Sequence, residues 1–317
     1  MAKRLSFSEF ESAIDERTMT IENLSSYIEF DPSSPTPKLA FKTDALLDEA
    51  DSGYDVDRVV FNLARESRAD IRDRAEMFSF TAPMTVVAEG DSWFNMPPLF
   101  FVPTAIADWI EKNRRFRMNN IADWGHTLVK MRKDEEYIKV MDDSTPDFFM
   151  FSGGGNDLQE GIASKTYLKD YHPDRPPDEY LTEQGKLGIA DIGAGYSDIL
   201  EKVTGRYPDL RVFCYGYDYP RPLVREGKYI GSVLREMEVP DGEMVDIVSP
   251  IMDLLNSTIS QVTEKFESVQ FLNLIGETEG YTWYDDMHPD SEGFLTLSLK
   301  FEEAMLRSGS AANVPIG

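Results

Sequence analysis

Cysteine is nearly absent. Cys214 is the only one in 317 residues, which excludes an intramolecular disulfide and any cysteine-built metal cluster. It stands in the apolar run RVFCYGY, where a buried, inert thiol is expected. Positive charge is scarce as well: 32 Lys and Arg face 57 Asp and Glu, a net charge of −25, with no basic block anywhere. Such a surface repels phosphate backbones and anionic membranes, so nucleic acid is excluded as an expected partner. Histidines number three, His126, His172 and His288. No His/Asp/Glu set has metal-ligand spacing, and neither metal nor cofactor is expected. No apolar stretch reaches the ~18 residues of a spanning helix. The polar, acidic start MAKRLSFSEFESAIDERT has no apolar segment of a secretory signal. A soluble protein, cytoplasmic by default, is the expectation.

What is present suffices for a globular chain. Hydrophobic residues make up 41% and charged residues 28%, enough for a sizeable core in one large domain or two smaller ones. Residues 1–80 differ in texture from the rest. They have a polar start, a loop at DPSSPTPK (31–38), and a stretch at 56–78 with Val59, Val60, Leu63 and Ala64 at helical spacing. Residues 1–80 read as a mostly helical N-terminal extension packed on, or tethered to, the main domain, a solvated appendage whose one open role is to meet a protein partner. From residue 84 apolar runs alternate with helical text. Strands are expected at 84–90, 115–123, 147–155, 211–218 and 269–276. Helices are expected at 104–113 (Thr104 as cap), 127–141, 190–207, 243–267 and 291–308. That alternation predicts an α/β domain over 81–317, with a parallel sheet covered on both faces. The polar stretch 159–188 breaks it and reads as an insertion.

Ligands of an open α/β sheet sit at the carboxyl ends of its strands. Four of the five expected ends carry residues that acyl transfer needs: Ser92 in EGDSWF, Gly125 in NNIADWGHTL, Asn156 in SGGGNDL, and Asp285 and His288 in YTWYDDMHPDSEG. A serine hydroxyl is a weak nucleophile until a base takes its proton. A carboxylate three residues before His288 can orient the ring in a turn, which favours Asp285 over its neighbour Asp286. The backbone N–H groups of Ser92 and Gly125 and the amide of Asn156 are candidate donors to an oxyanion. His126 could line the same cleft, whereas His172 is expected at the surface. Asp91 and Asp157 read as structural, bonding loop backbone.

Gly90-Asp91-Ser92, Gly125 after Asn120, Gly154-Gly155-Asn156-Asp157, and Asp285-x-x-His288-Pro289 resemble, in order, the four motif blocks of the SGNH (GDSL-type) hydrolases. The resemblance covers about residues 84–306. It implies a flavodoxin-like three-layer α/β/α sandwich with a five-stranded parallel sheet of order 2-1-3-4-5. It also implies ester hydrolysis without metal or cofactor. Carried over residue by residue, Ser92 is the nucleophile, His288 the general base and Asp285 its partner. Ser92, Gly125 and Asn156 form the oxyanion hole. Trp93 replaces the leucine of the GDSL signature, and residues 1–80 and 159–188 have no place in the family core. The implied substrate is a small-molecule or glycan ester: a small acyl ester, an acetylated glycan or a lysolipid-like ester. The alternative is a non-catalytic binding or docking protein on the same fold.

Overall fold

The computed structural model describes residues 4–16, 18–31, 38–51, 53–60, 62–63, 82–97 and 102–311. Two short strands, β1 (Ile28–Phe30) and β2 (Leu39–Phe41), pair antiparallel near the N-terminus. The five that follow are β3 (Met84–Glu89), β4 (Phe116–Asn120), β5 (Phe148–Phe151), β6 (Arg211–Gly216) and β7 (Val269–Asn273). They form one parallel sheet in the order β4-β3-β5-β6-β7. Counted within that sheet, the order is the flavodoxin-like 2-1-3-4-5.

Side-chain alternation divides the core into two layers. Phe149 and Phe151 lie on one face of β5, and their rings pack on Tyr137 and Tyr196. That face is covered by the helices Glu136–Ser144 and Glu183–Arg206, with Met244–Thr263 packed beside the latter. Tyr215 of β6 meets Trp93, Phe94 and Phe301 on the other face. There the helices Ile106–Lys112 and Ser291–Ala311 pack on each other. The result is a three-layer α/β/α sandwich. Cys214 is fully buried in β6, and burial pushes its thiol well up.

Several local expectations need correction. Thr104 does not cap the helix Ile106–Lys112. Ala105 stands at the cap without a side-chain bond, and the Thr104 N–H donates to Ser291 Oγ at 3.0 Å. The helix expected over 127–141 is two helices, Leu128–Asp134 and Glu136–Ser144, split where Glu135 takes a left-handed backbone (φ 47°). The polar stretch 159–188 holds more helix than its polarity suggested. Residues Gly155–Ala163 and Glu183–Arg206 are helical, leaving a connection at 164–182. A Leu168–Leu181 bridge and the Tyr180 hydroxyl, donating to the His172 carbonyl at 2.7 Å, hold it together. A helix at Ile230–Glu236 was not anticipated.

The N-terminal region contains the helices Phe7–Asp15 and Ile21–Leu24 and also the β1–β2 pair. It is therefore less uniformly helical than its charge pattern implied. Helix is described at 56–60 and 62–63; the remainder of the 56–78 expectation lies outside the described residues. Ser6 begins the first helix with a reciprocal capping box to Glu9. Phe10, Tyr27, Ile28, Leu39, Val56 and Val60 form a second small core. Met96, Ala105 and Trp124 of the main domain belong to it, so this region is seated on the larger unit rather than merely tethered.

One buried side chain fixes how β6 ends. Asn256, on the helix Met244–Thr263, accepts from the Tyr217 N–H at 2.9 Å and donates to the Tyr217 carbonyl at 2.7 Å. Asn256→Ala would strand both groups, each costing about 1–3 kcal/mol when buried without a partner. A urea titration is expected to give a loss of about 2–4 kcal/mol. The exposed neighbour substitution Ser257→Ala is expected to stay within about 0.5 kcal/mol of the parent.

Candidate active site

The site is built where β3 leaves the sheet. A Cβ at Gly90 would lie 2.7 Å from the Phe94 ring, so only glycine lets the chain turn this tightly under the aromatic layer. The next residues wind into a turn, with the N–H groups of Phe94 and Asn95 donating to the Asp91 carbonyl. Ser92 sits in this turn and is 3% exposed. Among the described residues its backbone N–H is given to no other group, and the same holds for Gly125.

His288 arrives from the segment before the C-terminal helix. Its Nε2 lies 2.7 Å from Ser92 Oγ, and its Nδ1 lies 2.8 and 3.0 Å from the two carboxylate oxygens of Asp285. The three-residue spacing works because Asp285 Oδ1 also accepts from the N–H groups of Met287 and His288, each at 2.9 Å. This Asx turn folds the carboxylate back over the ring. Burial works to raise the Asp285 carboxyl. The His288 ring and the two backbone N–H groups outweigh it and hold the carboxyl below its ordinary value. Trp93 Nε1 donates to the Met287 carbonyl at 3.2 Å, tying the serine turn to the histidine turn.

Asp286 points the other way. Its carboxylate accepts from the N–H groups of Tyr229 and Gly231, at the start of the helix Ile230–Glu236. Burial pushes it up to about 6. It anchors a neighbouring loop through backbone N–H groups, leaving the imidazole to Asp285.

Asn156 lies at the start of the helix Gly155–Ala163, after Gly154 with φ 93°, a backbone that favours glycine. It lines the same cavity as Ser92. Its amide nitrogen donates to the carbonyls of Trp124 (3.1 Å) and His126 (2.9 Å), the two that flank Gly125. Both amide hydrogens are therefore committed to bracing that turn. Asp157 accepts from the Leu128 N–H at 2.8 Å, and Asp91 accepts from the Trp93 N–H at 3.1 Å; both bond loop backbone as expected. His172 is exposed. His126 is set beside buried Glu89, its Nδ1 3.4 Å from Oε1, with Asp123 and Lys130 on its Nε2 side. Burial works to lower the His126 ring, but the Glu89 hydrogen bond and the charges of Asp123 and Glu89 prevail and raise it.

Two features escaped the sequence reading. The end of β6 does face the site: Tyr217 donates to Asp91 Oδ2 at 2.5 Å, and Tyr217, Asp218 and Pro220 line the cavity with Leu158, Met252 and Met287. An apolar strand closing on a hydroxyl-bearing ring followed by aspartate was the available signal. The other is a bond from Trp124 Nε1 to Asp57 Oδ1 at 2.5 Å, joining the N-terminal region to the residue before Gly125. Nothing in the local sequence announces it. Burial pushes the Asp57 carboxyl up to about 7; the charges of Asp123 and Asp55 add to this, and the Trp124 and Leu39 N–H groups oppose it. The described residues contain no group of three or more His, Cys, Asp or Glu side chains arranged to hold a metal ion.

No protein-family model matches the sequence, and no curated protein matches it. Among solved structures, the chain is similar to a candidate GDSL-like lipase from Parabacteroides merdae, at 12% identity, covering 72% of this chain and 97% of that one, TM-score 0.46. It is similar to an acetylxylan esterase from Geobacillus stearothermophilus, at 14% identity, covering 70% and 94%, TM-score 0.43. It is also similar to the psychrotrophic esterase EstA from Pseudoalteromonas sp., in a form inhibited by monoethylphosphonate, at 10% identity, covering 71% and 98%, TM-score 0.43.

The raised carboxyls have a consequence for stability. Asp57 (about 7), Asp157 (about 6) and Asp286 (about 6) each hold a proton more tightly in the fold than in the unfolded chain. Unfolded aspartates titrate near ~3.9. Between roughly pH 4 and pH 7 the native state therefore binds more protons than the unfolded state, and stability falls as pH rises through that window. Scanning calorimetry is expected to give a higher Tm at about pH 5 than at about pH 8. Asp57→Asn, which cannot ionise, is expected to flatten the decline.

Proposed function

We propose that the protein is a serine ester hydrolase of the SGNH type. The observation that carries this reading is the continuous chain Ser92 Oγ–His288 Nε2 and His288 Nδ1–Asp285, at 2.7, 2.8 and 3.0 Å, with Ser92 lining a cavity. Ser92 Oγ attacks the acyl carbon while His288 Nε2 takes its proton. His288 then gives that proton to the departing alcohol. Water, deprotonated in turn by His288, releases the acid and restores the serine. Asp285 holds the ring in the required tautomer and supports the positive charge it gains.

The tetrahedral oxyanion is received by the N–H groups of Ser92 and Gly125, with the Asn156 amide as third member. As negative charge builds, it competes with the Trp124 and His126 carbonyls for the Asn156 hydrogens. The cavity beside Ser92 measures about 40 Å³. By that measure one water needs roughly 10–15 Å³, so the space suits a short acyl group rather than a fatty chain. Leu158, Met252 and Met287 give it an apolar wall. Small acyl esters, including acetylated glycans, are thus the preferred substrate class.

A fluorophosphonate probe, which captures activated serines, is expected to give one adduct, on Ser92, absent in His288→Ala. Wild type should hydrolyse p-nitrophenyl acetate, and Ser92→Ala should not. Asp285→Asn is expected to lose about 10³–10⁴-fold in kcat. Asp286→Asn should retain most of the rate while lowering Tm. Labelling of another serine, or a larger rate loss in Asp286→Asn than in Asp285→Asn, would overturn the assignment. Asn156→Ala is expected to reduce kcat by roughly 10²–10³-fold with little change in KM.

A further inference from the structure

The N-terminal region reaches three of the four turns that build the candidate site. Its small core contains Met96 and Ala105, which follow the serine turn, and Trp124, which precedes Gly125. Tyr284, the residue before Asp285, packs against the same cluster, and the Arg225 guanidinium lies 4.3 Å from the centre of its ring. A region that only decorated the surface would have no reason to converge on these segments.

Its polar contact with the site is more specific than its apolar ones. Asp57 Oδ1 accepts from Trp124 Nε1 at 2.5 Å and from the Leu39 N–H at 3.1 Å, with Oδ2 at 3.3 Å from the same N–H. One carboxylate thus links β2, in the N-terminal sheet, to the tryptophan of the Asp123–His126 turn. That turn is closed by the His126 N–H donating to the Asp123 carbonyl at 2.9 Å. Trp124 is 1% exposed, so its ring is shut off from solvent.

The geometry matters because of peptide planarity. The N–H of Gly125 and the carbonyl of Trp124 belong to one rigid plane. The orientation of that plane decides where the Gly125 N–H points. Asn156 holds the plane by its carbonyl oxygen, and Asp57 holds the residue that carries it by its indole. We propose that Asp57 and Trp124 are positioning residues for the Gly125 N–H, so that the N-terminal region is a working part of the catalytic unit. Neither side chain touches the reacting atoms; they act through the turn. The inference rests on the hydrolase reading given above.

The test compares Trp124→Phe, Asp57→Ala, their double substitution, Asp57→Asn, and Asp55→Asn as an exposed control, all in the full chain. Two readouts are taken: steady-state kinetics on p-nitrophenyl acetate, and amide hydrogen exchange over residues 121–128 followed by mass spectrometry. Trp124→Phe keeps a buried aromatic ring and removes the donor together with part of the indole's volume. Both single substitutions are expected to lower kcat by about 10-fold with KM nearly unchanged, because a misplaced oxyanion donor acts on the transition state. If the two act through one bond, the double variant should lose no more than either single one, also about 10-fold. Asp57→Asn retains a side-chain oxygen for the indole and should recover most of the rate. Exchange over 121–128 should quicken in the two single variants and stay at the parent rate in Asp55→Asn.

Unchanged kcat in folded Trp124→Phe, or rate losses that multiply in the double variant, would overturn the inference and leave the hydrolase reading standing. A rise in KM at constant kcat would overturn it too, assigning the pair to substrate binding. Wild type that neither labels at Ser92 nor turns over ester would remove the hydrolase reading itself, and with it the positioning role. The exchange data would then still report whether the bond restrains the turn.

Discussion

The arrangement depends on a constraint of topology. β3 lies between β4 and β5, and the chain leaves β3 first toward one neighbour and later returns to the other. Connections that depart in opposite directions from adjacent parallel strands leave a crevice at their carboxyl ends. The turns after β3 and β5 carry Ser92 and Asn156, which line one cavity, and the turn after β4, with Gly125, is bonded to Asn156 through the carbonyls on either side of it. The helices on either face cannot close it, because each must cross away from β3 to reach the next strand. The remaining features secure what this crevice brings close. Gly90 admits the tight departure, the Asx turn of Asp285 aims the ring, and Trp93 ties the serine turn to the histidine turn.

A second layer of polar bonds keeps the loops from drifting. Most of them pair a buried side chain with backbone rather than with another side chain. Asn256 pairs with both backbone groups of Tyr217, Asp286 with Tyr229 and Gly231, Asp157 with Leu128, and Asn156 with the carbonyls around Gly125. Loops with few regular backbone bonds obtain their definition in this way. The carboxylates so used are costly to ionise where they stand. Asp57, Asp157 and Asp286 are all raised by burial, whereas Asp285, which has an imidazole partner, is lowered. The contrast separates these three anchors from Asp285, the neighbour of an imidazole.

The strands were legible because each is a short apolar run with a clear stop, and the sheet order followed from the resemblance carried by the motif blocks. Ser92, Asp285 and His288 were legible for the same reason: their turns are local, and the spacing within each reports its geometry. What escaped depends on contacts between distant segments. The 128–144 region has helical periodicity throughout, and only the left-handed backbone at Glu135 divides it. Polarity made 159–163 and 183–188 look like loop, although both are helical: 183–188 mostly faces solvent, whereas Gln159, Gly161 and Ile162 are buried. The two donors of Asn156 looked available because the carbonyls that take them lie some thirty positions away. Asp57 was one acid among many in a charged stretch, and its partner is 67 residues distant.

The distance along the chain between Ser92 and His288 gives the fold a temporal property. The two are 196 residues apart and meet only when the last strand and the segment after it have been laid against the rest. A chain emerging in order carries its serine early, as an ordinary alcohol with no base beside it. Every intermediate that lacks the C-terminal segment therefore lacks the Ser92–His288 bond, however well its first strands have paired. Completion of the sheet and the meeting of Ser92 with His288 become one event, and incompletely built molecules hold that hydroxyl apart from the imidazole.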